Sequence, residues 1–335
     1  MKKINAVAIA FALFILMAVA FAAITVKGIR SDMNGTVSTD GDLTAERAYN
    51  VLLVGTDREA GLADVMMLAR LDLSRSEVFI MQIPRDTYAE YTDASYKKLN
   101  GAYSALGAEE TCAFLSESFG IDIDRYIITG LDSLCAAVDA IGGVDVRVPC
   151  DMRYRDSAQG LYIDLKAGIR HLDGALAEQF LRFRSGYIEG DIDRMDAQKI
   201  FLAAIAKKIK DEISLPMAYR LLEAADGVET NFSTAELLGV ALEAARINGA
   251  NVHVATLPGA EARAASGASY YGVSADAAAE LTERFFGVGR ESFDTGRKLL
   301  NEKNASFERI YNGFSSYRVY TLADILEKGI EIDLK

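Results

Sequence analysis

Three stretches of the chain carry the pattern of buried strands. Asn50 to Gly55, Val65 to Leu71 and Val78 to Ile83 are short, continuous apolar runs with polar flanks, the pattern of strands covered on both faces. The polar turn Asp72 to Glu77 separates the second from the third, so these two are expected to pair as a hairpin. Beyond them the period changes repeatedly. Leu106 to Phe119 and Asp132 to Ile141 are expected as helices, and Arg125 to Thr129 and Val144 to Val148 as strands. Gly142-Gly143 ends the second helix and Pro149 the second strand. Arg153 to Lys166 is expected to be loop-rich, and His171 to Leu181 to be helical. Later helices are expected around Pro216 to Ala225, Thr234 to Ile247 and Ala275 to Phe286. A strand at Val252 to Leu257 is followed by a surface loop from Gly259 to Gly267. Strands alternating with helices point to an α/β class, a layered α-β-α domain with a central mixed sheet. No internal repeat is visible, and Arg290 to Lys335 shows no motif.

The start of the chain has a different pattern. Lys2 and Lys3 precede an apolar run from Ala6 to Val26 without a charge, long enough as a helix to cross a hydrocarbon core of about 30 Å. A single transmembrane helix is therefore expected before the globular part. Ala20-Phe21-Ala22 resembles a signal-peptidase site, but Ile24, Thr25 and Val26 carry the apolar run past it. The basic start places residues 1–5 in the cytoplasm and the bulk outside, against the weaker opposing signal of Lys27 and Arg30. Residues 27–48 read as a polar juxtamembrane linker, residues 49–286 as the globular domain, and residues 287–335 as a C-terminal extension.

The most unusual pattern lies between Phe180 and Ile209. Asp191 is a natural N-cap, with Asp193 in the first turn and lysines expected in the last turn at Lys207 and Lys208. At helical spacing Leu202, Ile205 and Ile209 form an apolar stripe. Asp193, Asp196, Lys199, Lys207 and Lys210 lie off it. Followed toward the N-terminus, the same stripe is occupied by Gln198, Arg194 and Asp191, which spacing turns inward. The turn Ser185 to Gly190 is short enough to return Arg182 and Arg184 beside Asp191. Three guanidiniums would then meet one carboxylate. A buried guanidinium needs a partner, and its planar fork suits phosphate oxygens. The competing reading is a structural ion-pair network with Glu189, Asp193 or Asp196.

Asp57 follows the first strand, Asp64 precedes the second, and Arg85 in IPRDT follows the third, so the three can gather at one sheet edge, where sites in open α/β sheets lie. Two carboxylates converging on a phosphate repel it unless a cation intervenes, and magnesium takes one or two carboxylates, phosphate oxygens and water.

Composition narrows the choice. The chain has 335 residues, half of them hydrophobic, and a net charge of −12, which disfavours nucleic acid as a partner. Cys112, Cys135 and Cys150 lack metal or disulfide spacing and read as core residues. There is no dinucleotide fingerprint, P-loop, HExxH or GxSxG motif. His171 and His253 are the only histidines, and both read as structural.

Taken in order, NVLLVGTD from Asn50, ADVMMLARLD from Ala63, IPRDT from Ile83, KKLNGAY from Lys97, IGGVDVRVP from Ile141, RFR from Arg182 and GDIDRMDAQ from Gly190 resemble the LytR-CpsA-Psr wall-polymer ligases. These are membrane-anchored phosphotransferases of Gram-positive bacteria. The resemblance covers roughly Tyr49 to Phe286. It implies transfer of a glycopolymer, of teichoic acid or capsular type, from a polyprenyl-pyrophosphate carrier to a peptidoglycan sugar hydroxyl outside the cell membrane. It also implies magnesium at Asp57 and Asp64. Arg85, Arg182, Arg184 and Arg194 would contact the pyrophosphate, Gln198 would support them, and Asp191 would orient an arginine or assist the incoming hydroxyl. Of these, Arg85, Asp191 and Arg194 are expected to be catalytic. The chain departs from the family at Leu62, where an arginine usually precedes the second aspartate, and at Ala197, where another precedes Gln198. Alternatives from the same residues are a polyprenyl-pyrophosphate hydrolase and a non-catalytic polyprenyl-phosphate-binding membrane protein.

Overall fold

The computed structural model describes residues 48–56, 62–91, 97–157, 160–188, 191–212, 214–224, 227–233, 236–237, 240, 247–264, 267–293, 299, 309–310, 313–332 and 334. The expected membrane span, its linker up to residue 47, and Asp57 lie outside them, as does most of the helix expected over 234–247. No helix among the described residues is long and apolar enough to cross a membrane.

The strands in chain order are β1 (Ala48–Thr56), β2 (Ala63–Asp72), β3 (Glu77–Ile83), β4 (Arg125–Gly130), β5 (Val144–Val148), β6 (Met152–Asp156), β7 (Leu161–Leu165), β8 (Gly168–Leu172), β9 (Glu229–Thr230), β10 (Val252–Thr256), β11 (Gly259–Arg263), β12 (Ser269–Val273), β13 (Arg309–Ile310) and β14 (Val319–Thr321). The helices are α1 (Ala102–Leu106), α2 (Ala108–Phe119), α3 (Leu131–Ala140), α4 (Gly174–Arg182), α5 (Asp191–Glu212), α6 (Leu215–Ala224), α7 (Ala275–Phe286) and α8 (Leu322–Lys328). Seven strands form one mixed sheet in the order β14-β10-β3-β2-β1-β4-β9. Strands β1, β2 and β3 make an antiparallel meander, while β4 joins β1 and β10 joins β3 in parallel.

Alternation along each central strand feeds two separate cores, which is why the strands read as unbroken apolar runs. Tyr49, Val51, Leu53, Val65 and Met67 face the helices α3, α4, α5 and α6. Leu52, Val54, Met66, Leu68 and Met81 face α2 and α7. The result is the layered α-β-α arrangement expected from the sequence. Cys112 is buried, Cys135 and Cys150 are half-buried, and all three are free thiols.

Several expected elements differ. The loop-rich stretch is a hairpin, β6 paired with β7, in which Leu161, Ile163 and Leu165 point inward and Arg153 and Arg155 outward. Charges on its solvent face conceal its alternation. His171 and Leu172 belong to β8, so the helix starts only at Gly174, capped by Asp173, whose carboxylate accepts from the Leu176 amide. Gly107, at φ +83, splits the helix expected from Leu106 onward. The expected surface loop after Gly259 contains β11, which pairs with β12 and β13. Its inward side chains, Ala260 and Ala262, are too small to mark a strand. A Cβ at Gly259 would lie 2.2 Å from the Gly272 carbonyl oxygen, so this close strand approach requires glycine. The extension from residue 287 supplies β14 at the sheet edge and α8 against α5.

Candidate active site at the sheet edge and the start of α5

The β2–β3 register sets the first half of the site. Met66 pairs with Ile83, and two further steps bring Asp64 opposite Arg85. Arg85 Nη1 donates to Asp64 Oδ1 at 2.6 Å, with both side chains buried. Asp64 therefore lies inside β2 rather than before it.

The second half comes from α5. Leu202, Ile205 and Ile209 face the core as expected, and Gln198 and Arg194, each 1% exposed, continue the same stripe. The helix is buried more widely than one stripe, however. Asp193 and Lys199, expected to lie away from the core, are also buried, because α5 sits under α4, α8 and β5 as well as the sheet. Lys199 Nζ is held by Asp196 and by Thr256 Oγ1. The helix also runs three residues past Ile209, so Lys210 is the basic residue of its last turn.

Asp191 is the meeting point. Arg194 reaches it twice, Nη1 to Oδ1 at 2.8 Å and Nη2 to Oδ2 at 2.9 Å, and Arg184 Nη2 lies 3.1 Å from Oδ1. The third guanidinium is Arg85, with Nη2 at 3.8 Å, and not Arg182. Arg182 is still helical, so its Nη1 donates to Glu178 one turn earlier, at 2.7 Å. Phe183 leaves the helix with ψ 138, and only from Arg184 onward does the chain turn toward Asp191. Arg182 remains buried, with Nε and Nη2 lacking hydrogen-bond partners.

Burial is the largest influence on Arg194 and pulls its pKa down. Asp191 opposes that pull, Arg85 and Arg184 reinforce it, and the guanidinium settles at about 10. Burial acts on Arg85 in the same sense, but Asp191 and Asp64 outweigh it and the pKa is raised. Both groups are cationic at neutral pH. They also sit at the N-terminal end of a long helix, whose dipole favours an anion.

A small cavity of about 10 Å³ lies between these elements, close to the room one water needs. Its polar wall is Asp64, Gln82, Arg85, Asp191, Arg194 and Gln198, and Met67 and Met195 are among its apolar neighbours. Gln82 was not identified from the sequence. Its signal was a lone amide in the otherwise apolar end of β3, just before IPRDT. Among the described residues no three metal-ligating side chains gather. Asp64 supplies one hard carboxylate, buried in the wall of this cavity.

The chain matches the LytR_cpsA_psr family over residues 17–286. It is 30% identical over 208 residues to the polyisoprenyl-teichoic acid–peptidoglycan teichoic acid transferase TagV of Bacillus subtilis, covering 59% of this chain and 53% of that one. The match to TagU of Bacillus mycoides is 27% over 263 residues, covering 77% and 84%. Several of the curated relatives it matches are thus spanned over only about half their length. The crystal structure of B. subtilis TagV superposes with a TM-score of 0.60 at 24% identity, over 74% of this chain and 98% of that one. A structure of TagT bound to LI-WTA gives 0.60 at 22%, over 75% and 95%. The match spans most of the chain, including the two sheet-edge residues and the whole of α5 that build the site, and the chain belongs to the LytR-CpsA-Psr family.

Proposed function

We propose that this chain is an extracytoplasmic, membrane-anchored phosphotransferase. Its reaction moves a glycopolymer from a polyprenyl-pyrophosphate carrier to a peptidoglycan sugar hydroxyl. The observation that carries the reading is Asp191 bracketed by Arg85, Arg184 and Arg194, with Arg85 and Arg194, almost wholly buried, lining one cavity beside it at a helix N-terminus. Arg85 keeps Nε and Nη2 without a hydrogen-bond partner, and such orphaned donors suit phosphoryl oxygens. The names of TagV and TagU, teichoic acid transferases, agree with it.

In this reading the acceptor hydroxyl attacks the phosphorus that bears the polymer. A new P–O bond forms to the acceptor, the bond to the carrier phosphate breaks, and polyprenyl phosphate leaves, the phosphate monoester taking up the proton that the hydroxyl gives up. Arg85 and Arg194 neutralise the charge on the transferring group, and a single such donor is worth roughly a hundredfold or more in rate. Both oxygens of Asp191 face guanidinium donors, which makes it an orienting residue rather than a strong base. Asp64, with Asp57, would hold magnesium, which adds positive charge beside the phosphates.

Product analysis tests the reading. The protein, a lipid-pyrophosphate-linked saccharide and a peptidoglycan fragment should yield the phosphodiester-linked adduct. Release of saccharide phosphate alone would mark a hydrolase. Tight binding of donor without turnover would mark a non-catalytic lipid-binding protein.

A further inference from the structure

Two carboxamides line the same cavity from opposite walls. Gln82 on β3 and Gln198 on α5 are each 1% exposed. Neither the Nε2 nor the Oε1 of either has a hydrogen-bond partner. Gln82 lies three residues before Arg85 in the strand, and Gln198 lies one helical turn beyond Arg194, so the amides stand just inside the two buried arginines. A buried amide without a partner is costly and rare in folded proteins, and two on one cavity are rarer still.

The neighbouring polar groups sharpen the contrast. Lys199, next in sequence to Gln198 and equally buried, is held by Asp196 and Thr256. Thr256 is the register partner of Gln82 across the β3–β10 pair. The polar groups beside Gln82 therefore satisfy one another. The amide itself does not join them, and it lines the cavity.

We propose that Gln82, together with Gln198, binds a phosphoryl oxygen of the donor as a neutral hydrogen-bond donor behind the arginines. This rests on the phosphoryl-transfer reading and adds a residue to it. A phosphoryl oxygen only accepts hydrogen bonds, so the Nε2 groups of the two amides suit it. Amides add donors without adding charge, which fits a place already crowded with guanidiniums.

The test is calorimetric titration of inorganic pyrophosphate, in magnesium buffer, into wild type, Gln82→Met and Arg194→Met, with thermal melts of each unliganded protein. Methionine keeps the length of the side chain and removes its polar atoms. Gln82→Met should bind pyrophosphate about tenfold more weakly, and unliganded it should melt at or above wild type. Gln82→Leu is a second apolar variant if the first fails to fold. Wild-type affinity in a folded Gln82 variant, with weakened binding in Arg194→Met, would overturn the role of Gln82 alone. Absence of pyrophosphate binding by wild type would overturn the phosphoryl reading and this inference with it.

Discussion

Replacing Arg194 with methionine separates a ligand site from a structural ion pair, because the two assign opposite signs to the same change. Arg194 is wholly buried, and its pKa falls from the usual guanidinium value to about 10, burial first and the Arg85 and Arg184 charges in support. At 1.36 kcal/mol per pKa unit the charged form is disfavoured by about 3 kcal/mol in the unliganded protein. Arg194→Met removes that unfavourable term. Asp191 is not stranded, since Arg184 remains 3.1 Å and Arg85 3.8 Å from its Oδ1. Unliganded Arg194→Met should therefore melt no lower than wild type. Pyrophosphate should show the cost instead. A lost charge-assisted bond weakens binding by roughly tenfold to a hundredfold. At a ligand concentration of about 100 times the wild-type Kd, wild type gains about 2.7 kcal/mol of stability, and the variant about 1.4 to about 0.4 kcal/mol. At about 2–4 °C per kcal/mol for a domain of this size, scanning calorimetry resolves the difference. A structural network predicts about 3–5 kcal/mol of lost stability without ligand. That loss, with ligand protection unchanged, would refute the reasoning.

Three further outcomes follow from individual contacts. Asp64→Asn removes the carboxylate 2.6 Å from Arg85; magnesium should then no longer strengthen pyrophosphate binding, and titrations with and without chelator that still differ as in wild type would reject the metal assignment. Glu236 is held at about 2, first by the Ser233 hydroxyl and then by Arg125 and the Ser233 amide, against desolvation; because this carboxyl is depressed, its contribution is complete above its ordinary 4.5 and fades as pH falls toward 2, so melting curves of Glu236→Gln should lose part of the acid slope that wild type shows there. Protease added to intact protoplasts should remove the domain, as the uncharged run Ala6 to Val26 behind Lys2 and Lys3 requires, and full protection would place it on the cytoplasmic side.

How far the structure was legible depended on what each signal measures. Runs such as NVLLVG and EVFIMQI sit between two cores, so apolarity alone marks them as strands. The hairpin β6–β7 and strand β11 escaped for the opposite reason. One face of the first is solvated and charged, and the second packs with alanines. Helical spacing turned Gln198, Arg194 and Asp191 toward one site, because that is a local property of a regular helix. It could not see that α5 is enclosed on several sides, which buries Lys199 and Asp193. Arg182 and Arg184 lie two residues apart, and their different fates turn on where α4 ends. Element boundaries are what periodicity resolves least. Arg85 reaches Asp191 only through tertiary packing, which no spacing encodes.

The charges that converge here also bear on the two family arginines this chain lacks. Arg182 is neutralised by Glu178, which leaves Arg85, Arg184 and Arg194 against Asp64 and Asp191, a surplus of one positive charge. A diphosphate diester carries one negative charge on each phosphoryl group, so the protein groups alone do not balance it, and Asp57 would widen the gap. At position 197 the alanine of α5 is buried in the core, and an arginine there would have to displace that packing to reach the cavity. With Asp57 counted, the protein groups and the diphosphate together fall two positive charges short, and a divalent cation held at Asp64 and Asp57 would supply them. The neutral amides of Gln82 and Gln198 complement this arrangement. They supply hydrogen bonds where a further arginine would have supplied charge as well, which makes binding strength at this site more dependent on the metal than in a site with two more guanidiniums.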